Sequence, residues 1–270
     1  MLIKNIKEIK RIKKNAKLSS KTLGILTNYI KPGINLLFLD KIAKEYIIDN
    51  GGYPAFLGLY NYPYTICTSI NYEVVHGLPR NKILKEGDII SIDCGVLKNK
   101  YYSDNAYTYG VGNISKENKN LLKITLKSLY IGIKFCKKGN KIGNIGYNIN
   151  KYITKKNKNL YVVKDLVGHG IGKKLHELPN IPNYGKKNTG MSLHNGMVFS
   201  IEPMVNIGTN KIKLYKDGWT YITSNLKNSA HYEHNIAIIN NKPVILSTFK
   251  YINRILKKNK YAYNTTINKK

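Results

Sequence analysis

The chain has 270 residues, 42% of them hydrophobic, with 45 basic and 15 acidic side chains and a formal net charge of +30. That apolar content supports a sizeable core and excludes a disordered chain, and no apolar run approaches the ~18 residues of a membrane-spanning helix. Cys67, Cys94 and Cys136 form no CxxC pair, which excludes a cysteine zinc finger and a disulfide scaffold and fits a reducing cytoplasm.

Residues 4–30 carry Ile6, Ile9, Ile12, Ala16, Leu23, Leu26 and Ile30 at helical spacing, as one broken helix or two. The N-terminal run offers no uninterrupted apolar block with a small-residue cleavage site, so no secretory signal is expected. Lys31-Pro32-Gly33 stops the helical pattern, and a further helix is expected from Leu36 to Asp49, ahead of Gly51-Gly52. Strands follow at Tyr64 to Ile70, Asp88 to Val96 and Tyr101 to Tyr109. Helical spacing returns at 116–136, breaks at Lys138-Gly139-Asn140 and resumes to Lys156; strands recur near Leu160–Val167, Gly196–Met204, Trp219–Thr223 and Tyr232–Ile239. Helix, helix, strands thus occurs twice, and KPGINLLFLDKIAKEYI at residue 31 echoes KKGNKIGNIGYNINKYI at residue 137. Both signals predict an α+β domain of two related halves over residues 1–257, followed by a basic, Asn-rich, frayed tail at 258–270.

Acids are scarce, so an acid inside an apolar strand carries information. In Ile89-Ile90-Ser91-Ile92-Asp93-Cys94-Gly95-Val96, one face takes Ile90, Ile92, Cys94 and Val96, and the other takes Ser91, Asp93 and Gly95. Taking Lys98-Asn99 as a two-residue turn sets Asp93 directly opposite Asp104 on one face. Two carboxylates about 5 Å apart repel by roughly 3 kcal/mol at an effective dielectric of 20. A divalent cation turns that cost into affinity; without one, an acid must stay protonated. A hairpin slipped by one residue would instead leave Asp104 in solvent.

Glu202 in Val198-Phe199-Ser200-Ile201-Glu202-Pro203 and Glu233 in Tyr232-Glu233-His234 also lie within strand-like segments, and His169 sits among Gly168, Gly170 and Gly172. Four carboxylates and an imidazole suit two divalent first-row metals. Other motifs fail: a dinucleotide loop at Gly168 is spoiled by Lys173, Pro179 and Pro182, and His176-Glu177 lacks a zincin's second histidine because residue 180 is Asn.

INYEVVHGLP at 70, GDIISIDCGV at 87, SDNAYTY at 103, GHGIGKKLHELP at 168, FSIEPMV at 199, KDGWT at 216 and SAHYEH at 229 resemble the type I methionine aminopeptidases in content and order. The resemblance spans about residues 4–250. It implies the pita-bread fold, with two pseudo-symmetric halves around a curved antiparallel sheet. It also implies a dinuclear hydrolase that removes the initiator methionine of nascent proteins when the second residue is small. Asp93 would chelate one ion, Asp104 and Glu233 would bridge both, and His169 and Glu202 would hold the other. Glu202 would shuttle the proton, His176 would steady the oxyanion and His76 would contact the scissile amide or the tetrahedral intermediate. Tyr62, Cys67 and Trp219 match positions lining the methionine slot. Phe56, Leu59 and Leu175 stand where members typically carry Cys, Tyr and Phe, Tyr60-Asn61 replaces a usual His-Gly, and Ser103 replaces a Gly. For these slot residues a purely core role competes.

Two divalent ions, Fe(II), Mn(II), Co(II) or Zn(II), suit these ligands without sequence choosing among them. The expected partners are nascent N-termini, with no membrane, and the expected state is a cytoplasmic monomer. All basic residues except Arg11, Arg80 and Arg254 are lysine, which reads as drift in A/T-rich DNA rather than as nucleic-acid readout by arginine. The net charge still favours transient contact with a polyanion such as the ribosome. The alternative functions are a noncatalytic ribosome- or RNA-associated relative of the same fold and a proline-specific aminopeptidase. The five ligand positions argue against the first, and KDGWT and the lack of a long N-terminal domain against the second.

Overall fold

The computed structural model describes residues 3–265. The first helix, α1, runs unbroken over Ile6–Leu26. Asn5 caps it by accepting the Glu8 N–H while the Glu8 carboxylate accepts the Asn5 N–H, a reciprocal box that satisfies two orphan donors. The Ser19-Ser20 pair does not break it, because both hydroxyls donate to the Ala16 carbonyl one turn back. Its apolar stripe buries Ile9, Ile12, Ala16, Leu23 and Leu26. The second helix, α2, spans Leu36–Asp49 as predicted, with Asn35 accepting the Leu37 N–H at its start.

Strands β1 (Tyr53–Pro54), β2 (Cys67–Ile70), β3 (Glu73–Val75), β4 (Ile89–Asp93), β5 (Val96–Lys98), β6 (Tyr101–Ser103) and β7 (Ala106–Val111) follow. Helices α3 (Lys116–Lys134) and α4 (Ile142–Lys156) then repeat the paired-helix entry. Next come β8 (Leu160–Val162), β9 (Gly168–Gly170), β10 (Glu177–Ile181), β11 (Val198–Ile201), β12 (Met204–Ile207), β13 (Ile212–Leu214), β14 (Tyr221–Thr223), β15 (Ser229–His231), β16 (His234–Ile239) and β17 (Lys242–Ile245). Helix α5 (Lys250–Leu256) and β18 (Ala262–Tyr263) close the described chain.

Every strand pair is antiparallel. The first half is organised on β18-β7-β4-β2 and the second on β10-β9-β11-β16-β17. A contiguous core joins Leu23 and Leu39 of the first helix pair, Leu122 and Ile149 of the second, and Ile90, Tyr109, Phe199 and Ile236 of the sheets.

Two expectations need correction. The β5–β6 turn is Asn99-Lys100, both left-handed at φ 51 and 66, rather than Lys98-Asn99. Asn tolerates that region, and a two-residue turn with positive φ at both positions matches the twist of the strands it joins. The register therefore moves by two residues, and Asp93 lies across from Ala106 rather than Asp104. A two-residue shift preserves the face of a strand, so Asp104 still meets Asp93 one pleat along.

The tail from 258 to 265 is also not frayed. Ala262 and Tyr263 pair with Val111 and Gly110, and the Asn259 amide donates to the Thr27 and Ile30 carbonyls just beyond α1. Carbonyls at the end of the helical segment thus anchor the stretch that composition marks as loose. Residues 266–270 of that expected tail lie outside the described chain.

Candidate metal centre and substrate cleft

Asp93 ends β4, Asp104 stands between β6 and β7, and Glu202 and Glu233 stand at the ends of β11 and β16. Backbone bonds lock these positions together. The Asp104 N–H donates to the Asn235 side chain at 2.8 Å, whose amide donates to Ser200 Oγ at 2.7 Å. The Glu233 N–H donates to the Ala106 carbonyl at 3.0 Å, tying one half to the other.

His169 lies in β9, between β10 and β11. Its glycine neighbours are required: a Cβ on Gly168 would come within 2.4 Å of the Ser200 carbonyl, and one on Gly170 within 2.2 Å of the Leu178 carbonyl. His169 Nδ1 faces the Gly170 carbonyl at 3.0 Å. A carbonyl only accepts, so Nδ1 carries the proton and Nε2 keeps its lone pair. That Nε2 points at Glu202 Oε1, 3.5 Å away.

Ligand atoms of Asp104, His169 and Glu233 all lie within 4.8 Å of one another. Asp93 is in hydrogen-bonding contact with Asp104. Asp93 Oδ1, Glu202 Oε1 and Glu233 Oε1 are buried with no hydrogen-bond partner. Burial pushes the Asp93 carboxyl up to about 7. Asp104 is raised well above the usual range by burial and then by Asp93 and Glu233. Burial also raises Glu202, reinforced by Asp104 and Asp93, and Glu233, reinforced by Glu202 and Asp93. Such a cluster is costly as bare anions, and orphaned oxygens facing a free imidazole nitrogen are what a divalent cation neutralises. The donor set fits a hard or borderline metal.

Three further histidines surround the cluster. His231 Nε2 approaches Glu202 Oε2 at 3.8 Å and has no hydrogen-bond partner. Sequence reasoning gave it no role, although it stands two residues before Glu233. His76 follows β3 with a left-handed φ of 57 and its ring against Tyr221. His176 sets its ring perpendicular to that of His169, with centroids 4.4 Å apart. Burial lowers His76 and His169 to about 4, with His176 adding to both, and lowers His231 to about 3. His176 is also lowered by its surroundings. All four imidazoles are neutral at pH 7.

A cleft of about 340 Å³ is lined by all thirteen sequence-predicted site residues. At its apolar end lie Phe56, Leu59, Tyr62, Cys67, Leu175 and Trp219. Tyr62 packs edge-on against Trp219 at 5.1 Å and donates its hydroxyl to the Ile66 carbonyl at 3.0 Å. Phe56, Tyr62, Cys67 and Leu175 also belong to an apolar cluster reaching Ile12 and Ala16 of α1, with Leu59 and Trp219 at its partly buried margin. The slot is thus the open edge of a core, which is why core and pocket readings compete there. Tyr60, Asp165, Asn180 and Met204 line the cleft too, without having been singled out as site residues. A larger cavity of about 630 Å³ beside α1 carries four lysines but no carboxylate, so the chemistry resides in the smaller one.

Residues 10–240 match the profile of metallopeptidase family M24. The methionine aminopeptidase of Clostridium perfringens is 45% identical over 250 residues, covering 93% of this chain and all of that protein. The crystal structure of methionine aminopeptidase from Rickettsia prowazekii superposes with a TM-score of 0.89 at 37% identity, over 92% of this chain and all of that one. A Xaa-Pro dipeptidase from Bacillus anthracis reaches a TM-score of 0.73 at 22% identity, over 92% of this chain and 62% of that one, a likeness of fold alone. On this similarity the chain has the pita-bread fold and belongs to metallopeptidase family M24, among its methionine aminopeptidases.

Proposed function

We propose that this protein hydrolyses the first peptide bond of chains that begin with methionine followed by a small residue. The observation that carries the reading is one cleft in which orphaned buried carboxylate oxygens and a free imidazole nitrogen adjoin an apolar slot. Asp93 would serve one cation, His169 and Glu202 a second, and Asp104 and Glu233 both. A bound divalent pair supplies an acidified water and a polarised carbonyl. Tyr62, Cys67 and Trp219 grip the methionine side chain and exclude water from it. His76 and His176, neutral at pH 7, each donate an N–H to the scissile group without adding a charge. Preorganised donors of this kind contribute about 10²–10³ in rate. Glu202 takes the proton released by the attacking water and passes it to the leaving amine.

The proposal extends to the cytoplasm as the site of action and to transient ribosome contact through the basic surface, supported by the net charge of +30. Among the described residues no helix is long and apolar enough to cross a membrane. The test is cleavage of Met-Ala-Ser and Met-Lys-Ser peptides by metal-stripped protein reconstituted with Fe(II), Mn(II) or Co(II). Metal-dependent release of methionine from the first peptide alone is expected. A folded protein inert with every metal would return the noncatalytic reading.

A further inference from the structure

Tyr60 sits on the lip of the cleft, in a turn whose shape is unusual for the residues that make it. Gly58, Tyr60 and Asn61 all have positive φ, at 81, 50 and 69. For non-glycine residues that backbone is disfavoured and persists only where surrounding bonds enforce it. Here the Gly58 N–H donates to the Tyr62 carbonyl at 2.8 Å, and the Tyr62 N–H donates to the Leu59 carbonyl at 2.9 Å. The turn projects the Tyr60 ring outward: it is 71% exposed, yet it lies parallel to the His176 ring, with 2° between planes and 6.3 Å between centroids. Among the described residues its hydroxyl has no partner. A large aromatic this exposed at the mouth of a cleft is a platform lacking an occupant.

The order of groups identifies that occupant. From the carboxylate cluster outward come His169, then His176, then Tyr60. The methionine slot is the closed apolar end, so the rest of a substrate must leave over the open lip. An extended peptide advances about 3.3 Å per residue, so two residues beyond the scissile bond cover roughly 6.6 Å. That is comparable to the step from His176 to Tyr60. We propose that Tyr60 is a specificity-determining residue whose ring face packs against the third residue of the substrate, so that peptides with an aromatic or large apolar third residue are cleaved faster. This rests on the peptidase reading above.

The experiment compares kcat/KM of the metal-reconstituted protein for Met-Ala-Phe-Ser and Met-Ala-Gly-Ser peptides, in the unaltered chain and in Tyr60→Ala and Tyr60→Phe. The unaltered chain should prefer the Phe peptide by about five- to tenfold, in the range of one aromatic contact, and chiefly through KM. Tyr60→Ala should bring the ratio to about one, and Tyr60→Phe should keep it, because the ring face rather than the hydroxyl makes the contact. A Tyr60→Ala protein that is slower on both peptides with its preference intact would make Tyr60 only a prop for His176 and overturn the proposal, as would loss of preference in Tyr60→Phe. Equal cleavage of both peptides by the unaltered chain overturns the Tyr60 assignment alone. Cleavage of neither removes the peptidase reading and this one with it.

Discussion

Leu36 in the first half and Ile142 in the second each open a helix just beyond a left-handed glycine, Gly33 at φ 89 and Gly139 at φ 83. The residue ahead of each helix makes an isolated bridge to the segment leading into the half's central strand, Asn35 to Ile83 and Lys141 to Ser192. Gly87 and Gly196, at φ 88 and 85, then precede β4 and β11, and Asp93 and Glu202 follow the two glycines at the same distance. The halves differ in what they add to that frame. Beside the central strands, β2 pairs with β4 and β9 with β11, but the first half adds Tyr62 and Cys67 on and ahead of β2, and the second adds His169 on β9 and His176 beyond it. Asp93 and Glu202 therefore come from matching positions of the two halves, whereas the imidazoles and slot side chains differ between them. The carboxylates of the frame supply most of the metal affinity, His169 completes the set from an addition, and choice of substrate belongs to the remaining additions.

The most severe way to break that division is to remove a frame carboxylate. Asp93→Ala or Glu233→Ala should abolish peptidase activity and lower metal content, a loss exceeding the roughly 10²–10³-fold cost of one oriented donor. Full activity in either variant, measured with metal content by elemental analysis, would reject the dinuclear assignment. An addition should behave otherwise. His176→Ala should lower kcat by about 10²–10³-fold with metal content unchanged, so metal loss in that variant would move His176 into the ligand set.

The electrostatics of the frame give a third, smaller effect, read in stability. In the metal-free protein the four carboxyls have folded pKa values above their unfolded ones. The folded state then holds more protons, so its stability falls as pH rises through the range from ordinary carboxylate values to about 7 and beyond. The buried histidines act in the opposite sense: His76 and His231, lowered to about 4 and 3, remove stability as pH falls below about 6.5. A divalent cation neutralises only the first group. The rise in Tm on adding Mn(II) should therefore be larger at pH 8 than at pH 5, by scanning calorimetry. An equal rise at both would mean that the cation does not engage the carboxylates.

The frame was legible in the sequence because carboxylates interrupting apolar strands have few explanations in a chain with 15 acids. Placing the β5–β6 turn one position early shifts the pairing by two, and strand periodicity still leaves Asp93 and Asp104 on one face. A shift of one would have lost the site. Residues of the additions were harder to read. His231 follows the same two-residue spacing to Glu233 but sits beside a more conspicuous motif residue. The Tyr60 turn depends on backbone dihedrals that Leu-Tyr-Asn does not advertise. Composition marks the tail as loose because it reports solvation but not the docking of Asn259 onto carbonyls beyond α1.

The smallest expected effect concerns Phe56, where core and slot overlap. Its ring is buried and packed so closely over Gly95 that a Cβ there would come within 2.6 Å of it. As filler alone, Phe56 would register only in stability, because deleting a buried aromatic costs about 3–5 kcal/mol. As a wall of the slot it also sets slot length. Phe56→Cys should then accept a side chain one methylene longer than methionine, such as ethionine, with the kcat/KM ratio moving toward the longer residue by about tenfold at most. A methylene in an apolar pocket is worth roughly 1–3 kcal/mol, and partial collapse of the opened space recovers part of that. Lower Tm with an unchanged Met-to-ethionine ratio would assign Phe56 to the core. A moved ratio with metal content intact would show the additions selecting the substrate while the repeated frame holds its cations.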